Sequence, residues 1–396
     1  MYPQTQDHAA TSRIDSLDGL RGLASLWVLL GHAALLTGWA VPILREPNFG
    51  VDLFMMLSGF LMTFHFQLRA KKVSPDAPGE WRAFWIRRFF RIAPLYYVCL
   101  AAVLLLGPML FDARMVIDSY NGVTPQLASR YLDSSPANVV LHGSFLFGLL
   151  PDYAFRTPLP DWSLSLEMQF YAAFPLLMLL LRRTSWLWGI AFVLGLSGAV
   201  VAGLHVAGIA FPMPAFLPLK LNMFICGMLI AAALADRPRS LLYAALALAI
   251  VLLPLDGVYA RRDIFIREVL AVGFVILLLY SRLPLFLQAL PRRIATLLGN
   301  RFFHWLGELS FGAYLIHLIV MQPIVALVVE QLGDAPAAVR FAVATALVVP
   351  PTYAIAYLTY RLVELPGQRL GAGFVRRLLG SKEKARSDAA ESIAAP

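Results

Sequence analysis

The chain has 396 residues, of which 59% are apolar and only 14% charged, against roughly 45–50% and about 25% in ordinary soluble domains. Long stretches such as Leu20 to Ala40, Trp186 to Val206 and Leu241 to Leu255 carry one charge or none, which excludes a soluble enzyme, a disordered chain, a collagen and a disulfide scaffold. A β-barrel of the outer membrane is excluded too, because barrel strands are short alternating segments of about 9–11 residues and these runs are continuous.

The runs must therefore be helices, since each span has to satisfy its own backbone polar groups in lipid. In chain order they are predicted near 20–40, 49–68, 92–111, 162–181, 186–206, 215–235, 240–255, 264–281, 306–331 and 338–360. Ten spans put both termini on one side. On that side lie 24 of the 33 Lys and Arg, so the positive-inside rule makes the termini cytoplasmic. The net charge of +9 is thus a topology signal, and no nucleic-acid partner is expected. The first 19 residues lack a basic-then-apolar pattern, so no cleaved presequence is expected.

Between the third and fourth predicted spans lies a long segment, 112–161, whose apolar stretch Asn138 to Leu150 is too short to span and reads as re-entrant or interfacial. It is a plausible place for an extracytoplasmic ligand. Residues 1–370 read as the membrane domain and 371–396 as a basic cytoplasmic tail, disordered from Lys382 onward. The two cysteines, Cys99 and Cys226, sit inside apolar runs, so neither a disulfide framework nor a metal site is indicated.

Ionisable side chains inside a span cost about 2.5–3.5 kcal/mol on insertion scales, so each needs a reason. Arg21 and His32 are 11 residues apart, almost three whole helical turns, which puts them on one face about 16 Å apart along the axis. Asp52 opens the second span near its outer end, ahead of the small pair Ser58-Gly59. Glu167 enters the fourth span five residues from its outer end, and Tyr171 shares its face one turn later. The ninth span carries Ser310, Tyr314 and His317, the last at about the depth of His32. Two His, Glu, Asp and Tyr over four spans form a proton-handling set, in which a histidine can act as general base and a carboxylate would orient its ring. At the basic edge, Arg88 and Arg91 share a helical face and, with Arg21, are suited to bidentate phosphate binding. Arg69, Lys71 and Lys72 read as positive-inside anchors.

At these residues the sequence resembles the acyltransferase 3 family of integral-membrane O-acyltransferases. The matching segments, in family order, are Leu17-Asp18-Gly19-Leu20-Arg21-Gly22 with His32, Gly50-Val51-Asp52-Leu53-Phe54 through Ser58-Gly59-Phe60, and Arg87-Arg88-Phe89-Phe90-Arg91-Ile92-Ala93-Pro94. They continue with Trp162-Ser163-Leu164-Ser165-Leu166-Glu167 followed by Phe170-Tyr171, and with Leu306-Gly307-Glu308-Leu309-Ser310-Phe311-Gly312-Ala313-Tyr314-Leu315-Ile316-His317. The resemblance implies an all-α bundle of about ten transmembrane helices in a bacterial inner membrane. Its activity would be transfer of an acyl group, usually acetyl, from cytoplasmic acyl-coenzyme A (acetyl-CoA) to a hydroxyl of an extracytoplasmic glycan such as O-antigen or exopolysaccharide. Arg21, Arg88 and Arg91 would hold the coenzyme. The catalytic set would be His32, Glu167, Asp52, Tyr171 and His317, with His32 either deprotonating the acceptor or carrying the acyl group. No metal is implied. Membrane lipid, a separate periplasmic acyl-handling partner and a second copy of the chain are the partners to expect. The rival from another class is a transporter or flippase of a glycan or acylated small molecule, since buried ionisable residues also mark transport pathways.

Overall fold

A computed structural model describes residues 14–257 and 260–394, with side chains described up to residue 379. The first 13 residues, on which the expectation about a presequence mainly rests, and the side chains of the tail from Lys382 lie outside that description. Among the described residues there is no strand. The helices are α1 (Asp15–Leu36), α2 (Asn48–Ala70), α3 (Glu80–Asn121), α4 (Ser129–Leu132), α5 (Pro136–Gly143), α6 (Trp162–Arg183) and α7 (Trp186–Val206). They continue as α8 (Leu217–Ala235), α9 (Ser240–Val251), α10 (Arg261–Leu279), α11 (Leu285–Leu298), α12 (Arg301–Gln331), α13 (Ala337–Thr359) and, after a π turn at Tyr360–Glu364, α14 (Leu365–Ala394).

All ten expected spans are helices, and the chain is an all-α bundle. Among the described residues nine stretches, α13 running on through the π turn, are long and apolar enough to cross a membrane. The tenth, α9, has 12 residues, about 18 Å at 1.5 Å per residue against a hydrocarbon core of about 30 Å. The outer shell is apolar, with Leu105, Trp188, Leu241 and Phe265 all largely exposed. Such a surface is a liability in water and what a lipid-facing wall requires.

Two expectations change in extent. The third helix is not 92–111 but 42 residues long, because hydropathy marks where a helix meets lipid and not where it begins. Its charged first turns, Glu80 to Arg91, stay helical. The amphipathic α11 was not expected at all: it keeps Leu285, Phe286 and Leu290 exposed and packs its last carbonyl, that of Leu298, against Gly19 of α1. At the C-terminal end α14 runs on through the boundary expected at 370, with Phe374 stacked on Phe90 of α3 at 5.5 Å.

Backbone-to-backbone packing fixes the helices that carry the ionisable residues. A Cβ on Gly307 of α12 would lie 2.1 Å from the Asp18 carbonyl oxygen of α1, and one on Gly22 would lie 2.7 Å from Leu306. The α2 and α8 pair is just as close: a Cβ on Gly59 would lie 2.0 Å from the Phe224 carbonyl oxygen, and one on Gly227 1.9 Å from that of Met56. Where lipid removes the hydrophobic incentive to associate, such small-residue contacts let dispersion hold helices together. Ser25 Oγ adds a bond across α1 and α12 by donating to the Ser310 carbonyl at 3.0 Å.

The segment between α3 and α6 folds back onto the bundle. Arg130 Nε donates to the Thr157 carbonyl at 3.1 Å while its guanidinium lies 3.6 Å from the centre of the Phe155 ring. Asp161 accepts from Thr157 Oγ1 at 2.8 Å and from Tyr96 Oη at 3.2 Å. Burial pushes the Asp161 carboxyl above its usual range even so. The apolar stretch 138–150 becomes the end of α5 and a 3₁₀ turn at Leu146–Leu149.

Candidate active site

Arg21 of α1, Arg88 and Arg91 of α3, and Glu167 and Tyr171 of α6 line one cavity of about 480 Å³, together with Ser58 of α2, Ser163 of α6 and Tyr314 of α12. The expected phosphate-binding arginines and two of the expected catalytic residues are thus brought to a single chamber. Glu167 accepts from Ser58 Oγ at 3.0 Å and from the Tyr171 hydroxyl on the same oxygen. The Arg88 guanidinium lies 5.5 Å from the Tyr171 ring centre and 5.9 Å from that of Phe84, within the range of cation–π attraction.

Glu167 was expected toward the outer mouth and instead faces this chamber among the arginines. The reason is local: Leu159, Asp161 and Trp162 are buried, so α6 starts beneath the folded segment that joins it to α3. Five further residues carry Glu167 about 7–8 Å deeper.

His32 and His317 are not part of the chamber's lining. They meet each other, with His317 Nε2 3.1 Å from His32 Nδ1. His317 Nδ1 lies 2.7 Å from the Tyr314 carbonyl oxygen. A carbonyl only accepts, so that nitrogen carries the proton and Nε2 of the neutral ring is an acceptor. His32 Nδ1 must then be the donor, shared between His317 Nε2 and the Val28 carbonyl at 2.9 Å. Both tautomers are fixed by this chain of bonds, and His32 Nε2 is left with its lone pair. The carboxylate expected to orient His32 is therefore replaced by a second imidazole. His317 is fully buried, whereas His32 keeps part of its surface open.

Tyr314 connects the two groups. Its hydroxyl lies 2.7 Å from Ser163 Oγ and donates to the Pro160 carbonyl at 2.8 Å, so it ties α12 to the start of α6. It stands three residues before His317, about 4.5 Å along the helix axis. Its ring centre lies 6.1 Å from that of His317, so the histidine pair sits beside a residue of the chamber wall.

Asp52, expected in the catalytic set, does not line this chamber. It is fully buried and bonded to Lys220 Nζ of α8 at 2.5 Å and to Arg267 Nε of α10 at 2.7 Å. Asp256 completes the group, 2.7 Å from Lys220 and 2.5 Å from Arg267. Two acids and two bases neutralise one another, which is the condition for keeping charges in a low-dielectric interior. Against the cost of its burial, Lys220 and Arg267 hold the Asp256 carboxyl well below the usual carboxylate range.

A second cavity, of about 1090 Å³, adjoins the first through Met62, His65, Arg88 and Arg91, which line both. Arg69, Lys71, Lys72 and Arg87 line it too, with Trp81 stacked on Phe66 at 5.6 Å. Residues read from sequence as membrane anchors therefore line the cavity next to the chamber. Among the described residues, no cluster of three or more His, Cys, Asp or Glu is placed to hold a metal ion.

The chain is thus a multi-helix membrane bundle with a basic chamber and a histidine pair beside it. The family described as "Acyltransferase domain" matches residues 14–361, and the chain belongs to it. The chain is 30% identical over 194 residues to the peptidoglycan O-acetyltransferase OatA of Listeria monocytogenes, a match that covers 47% of this chain and 28% of that protein. It is 28% identical over 218 residues to the nose resistant to fluoxetine protein 6 of Caenorhabditis elegans, covering 48% of this chain and 24% of that one. In both cases the match takes in less than a third of the relative's own length. No solved structure matches the chain.

Proposed function

We propose that the protein is a membrane O-acyltransferase that moves an acyl group, most simply acetyl, from cytoplasmic acetyl-CoA to a hydroxyl of an extracytoplasmic glycan. The observation that carries this reading is the histidine pair, whose bonds leave His32 Nε2 free and whose His317 ring lies 6.1 Å from that of Tyr314, a residue of the chamber walled by three arginines. Membership of the acyltransferase family and likeness to a protein named as a peptidoglycan O-acetyltransferase support the reaction class. The acceptor glycan, O-antigen or exopolysaccharide for instance, belongs to the proposal, as does placement in a bacterial inner membrane with the basic end cytoplasmic.

Each part of the site then has a task. The second cavity, with Arg69, Lys71, Lys72 and Arg87 on its walls, takes the nucleotide end of the donor. Arg88, Arg91 and Arg21 receive its phosphates, for which planar guanidinia are suited. The pantetheine arm follows the chamber toward Tyr314. At its end, His32 Nε2 accepts the proton of the acceptor hydroxyl as that oxygen attacks the thioester carbonyl. The carbon–sulfur bond breaks and the sulfur leaves as free thiol, taking up the proton. General-base assistance of this kind contributes typically about 10²–10⁴-fold. Glu167, bonded to Ser58 and Tyr171, offsets the positive charge of the arginines around it.

The test is thiol release from acetyl-CoA by purified protein with a crude extracytoplasmic glycan fraction. Release that needs both the acceptor and His32 supports the reading. A protein that neither releases thiol nor binds coenzyme A contradicts it and favours a transporter.

A further inference from the structure

α6 stays helical through a proline in its interior, Pro175, whose ring nitrogen has no hydrogen to give. In a regular helix the amide of residue 175 donates to the carbonyl of Tyr171, four residues earlier. Pro175 therefore leaves that carbonyl without its helical partner. Tyr171 and Pro175 are both buried, and an unpaired backbone carbonyl inside a membrane bundle is costly. The missing donor comes from another helix: Trp85 Nε1 of α3 donates to the Tyr171 carbonyl oxygen at 3.0 Å. Trp85 is 43% exposed, at the edge of the bundle, where an indole N–H ordinarily turns toward the polar headgroups. Here it turns inward to α6.

This bond joins the two helices at the chamber wall. Trp85 stands three residues before Arg88 on α3, about one turn, so the two share a face. The residue whose carbonyl Trp85 holds is the one whose ring lies 5.5 Å from the Arg88 guanidinium and whose hydroxyl bonds Glu167. Phe84 packs on the same turn, edge to face with the Tyr171 ring at 6.5 Å and stacked on Phe174 at 5.7 Å. We propose that Trp85 is a positioning residue: its indole N–H takes the place of the helical bond that Pro175 removes, and so keeps the Tyr171 turn of α6 seated against α3, with Arg88 held at the chamber wall for the phosphates of the donor. This rests on the reading of the donor as a coenzyme A thioester. Trp85 lines neither cavity; its effect passes through Tyr171 and Arg88, so it belongs to donor affinity and not to the chemical step.

The experiment measures coenzyme A binding, and the donor KM and kcat for thiol release, in full-length wild type, Trp85→Phe, Pro175→Ala and the double variant. Trp85→Phe keeps an aromatic ring and loses the N–H; the expected result is a rise of about tenfold in Kd and donor KM, which is about 1.4 kcal/mol, with kcat within about twofold. Pro175→Ala restores the amide donor, and since a carbonyl oxygen has two lone pairs it leaves donor KM within about twofold of wild type. In the double variant the restored amide serves the Tyr171 carbonyl, so Trp85→Phe costs no more than about twofold there, a coupling that the double-mutant cycle isolates. If Trp85→Phe does not fold, a benzothiophene isostere of the indole at position 85, which removes the N–H alone, takes its place. Unchanged donor KM in Trp85→Phe overturns the proposal, as does a lower kcat at unchanged KM. So does a rise that persists in the double variant, since that marks the bulk of the indole or its place at the membrane edge and not its N–H. Wild type that fails to bind coenzyme A overturns the donor reading and this proposal with it, whereas wild type that binds and a Trp85→Phe that binds equally overturns this proposal alone.

Discussion

At the scale of single residues, the decisive fact is which nitrogen of which histidine is free. The Tyr314 carbonyl takes the His317 Nδ1 proton, His317 Nε2 takes that of His32, and only His32 Nε2 remains as a base. His32→Ala should therefore lower transfer by about 10³-fold, within the usual reach of general-base catalysis, with melting temperature preserved. His317→Ala removes the orienting partner but not the base, and a smaller loss of roughly tenfold in kcat with little change in donor KM is expected from steady-state kinetics. Much of this was legible in the sequence. Arg21 and His32 lie on one helix, so their shared face follows from spacing alone. What pairs with His32 was not legible, because His317 is 285 residues away. The partners of Asp52 were hidden for the same reason: Lys220 and Arg267, which bond to it, lie 168 and 215 residues downstream.

At the scale of helices, the site depends on two contacts in which backbones touch. Gly307→Ala places a methyl where the Asp18 carbonyl stands and must drive α1 from α12, the pair that carries Arg21, His32 and His317. Overpacking costs typically about 1–3 kcal/mol, so a lower melting temperature and a lower kcat are expected together. The buried Asp52, Lys220, Asp256 and Arg267 group ties α2, α8 and α10 to one another. Truncating one member of such a group costs about 3–5 kcal/mol because it strands an opposite charge. Arg267→Met should accordingly lower the thermal midpoint sharply while the folded fraction keeps its donor KM; a change in KM with an unaltered midpoint would return Asp52 to the site. Ten apolar runs marked ten helices, since burial in lipid demands long uncharged stretches. The amphipathic α11 and the charged beginning of α3 escaped that criterion, because neither needs to be apolar all round.

At the scale of the whole molecule, two adjoining cavities carry most of the site's cations on their walls, and the histidine pair lies beside Tyr314 of the first. A donor held from one end and an acceptor approaching from the other would meet at His32. Tyr314 stands between, fastened to Ser163 and Pro160. The central claim is that this arrangement transfers an acyl group from a coenzyme A thioester through His32. The most direct measurement is thiol release from acetyl-CoA by purified protein in vesicles, wild type against His32→Ala, with and without the glycan fraction. Acceptor-dependent release in wild type and its loss in a folded His32→Ala is the predicted result; equal release by the two proteins would contradict it.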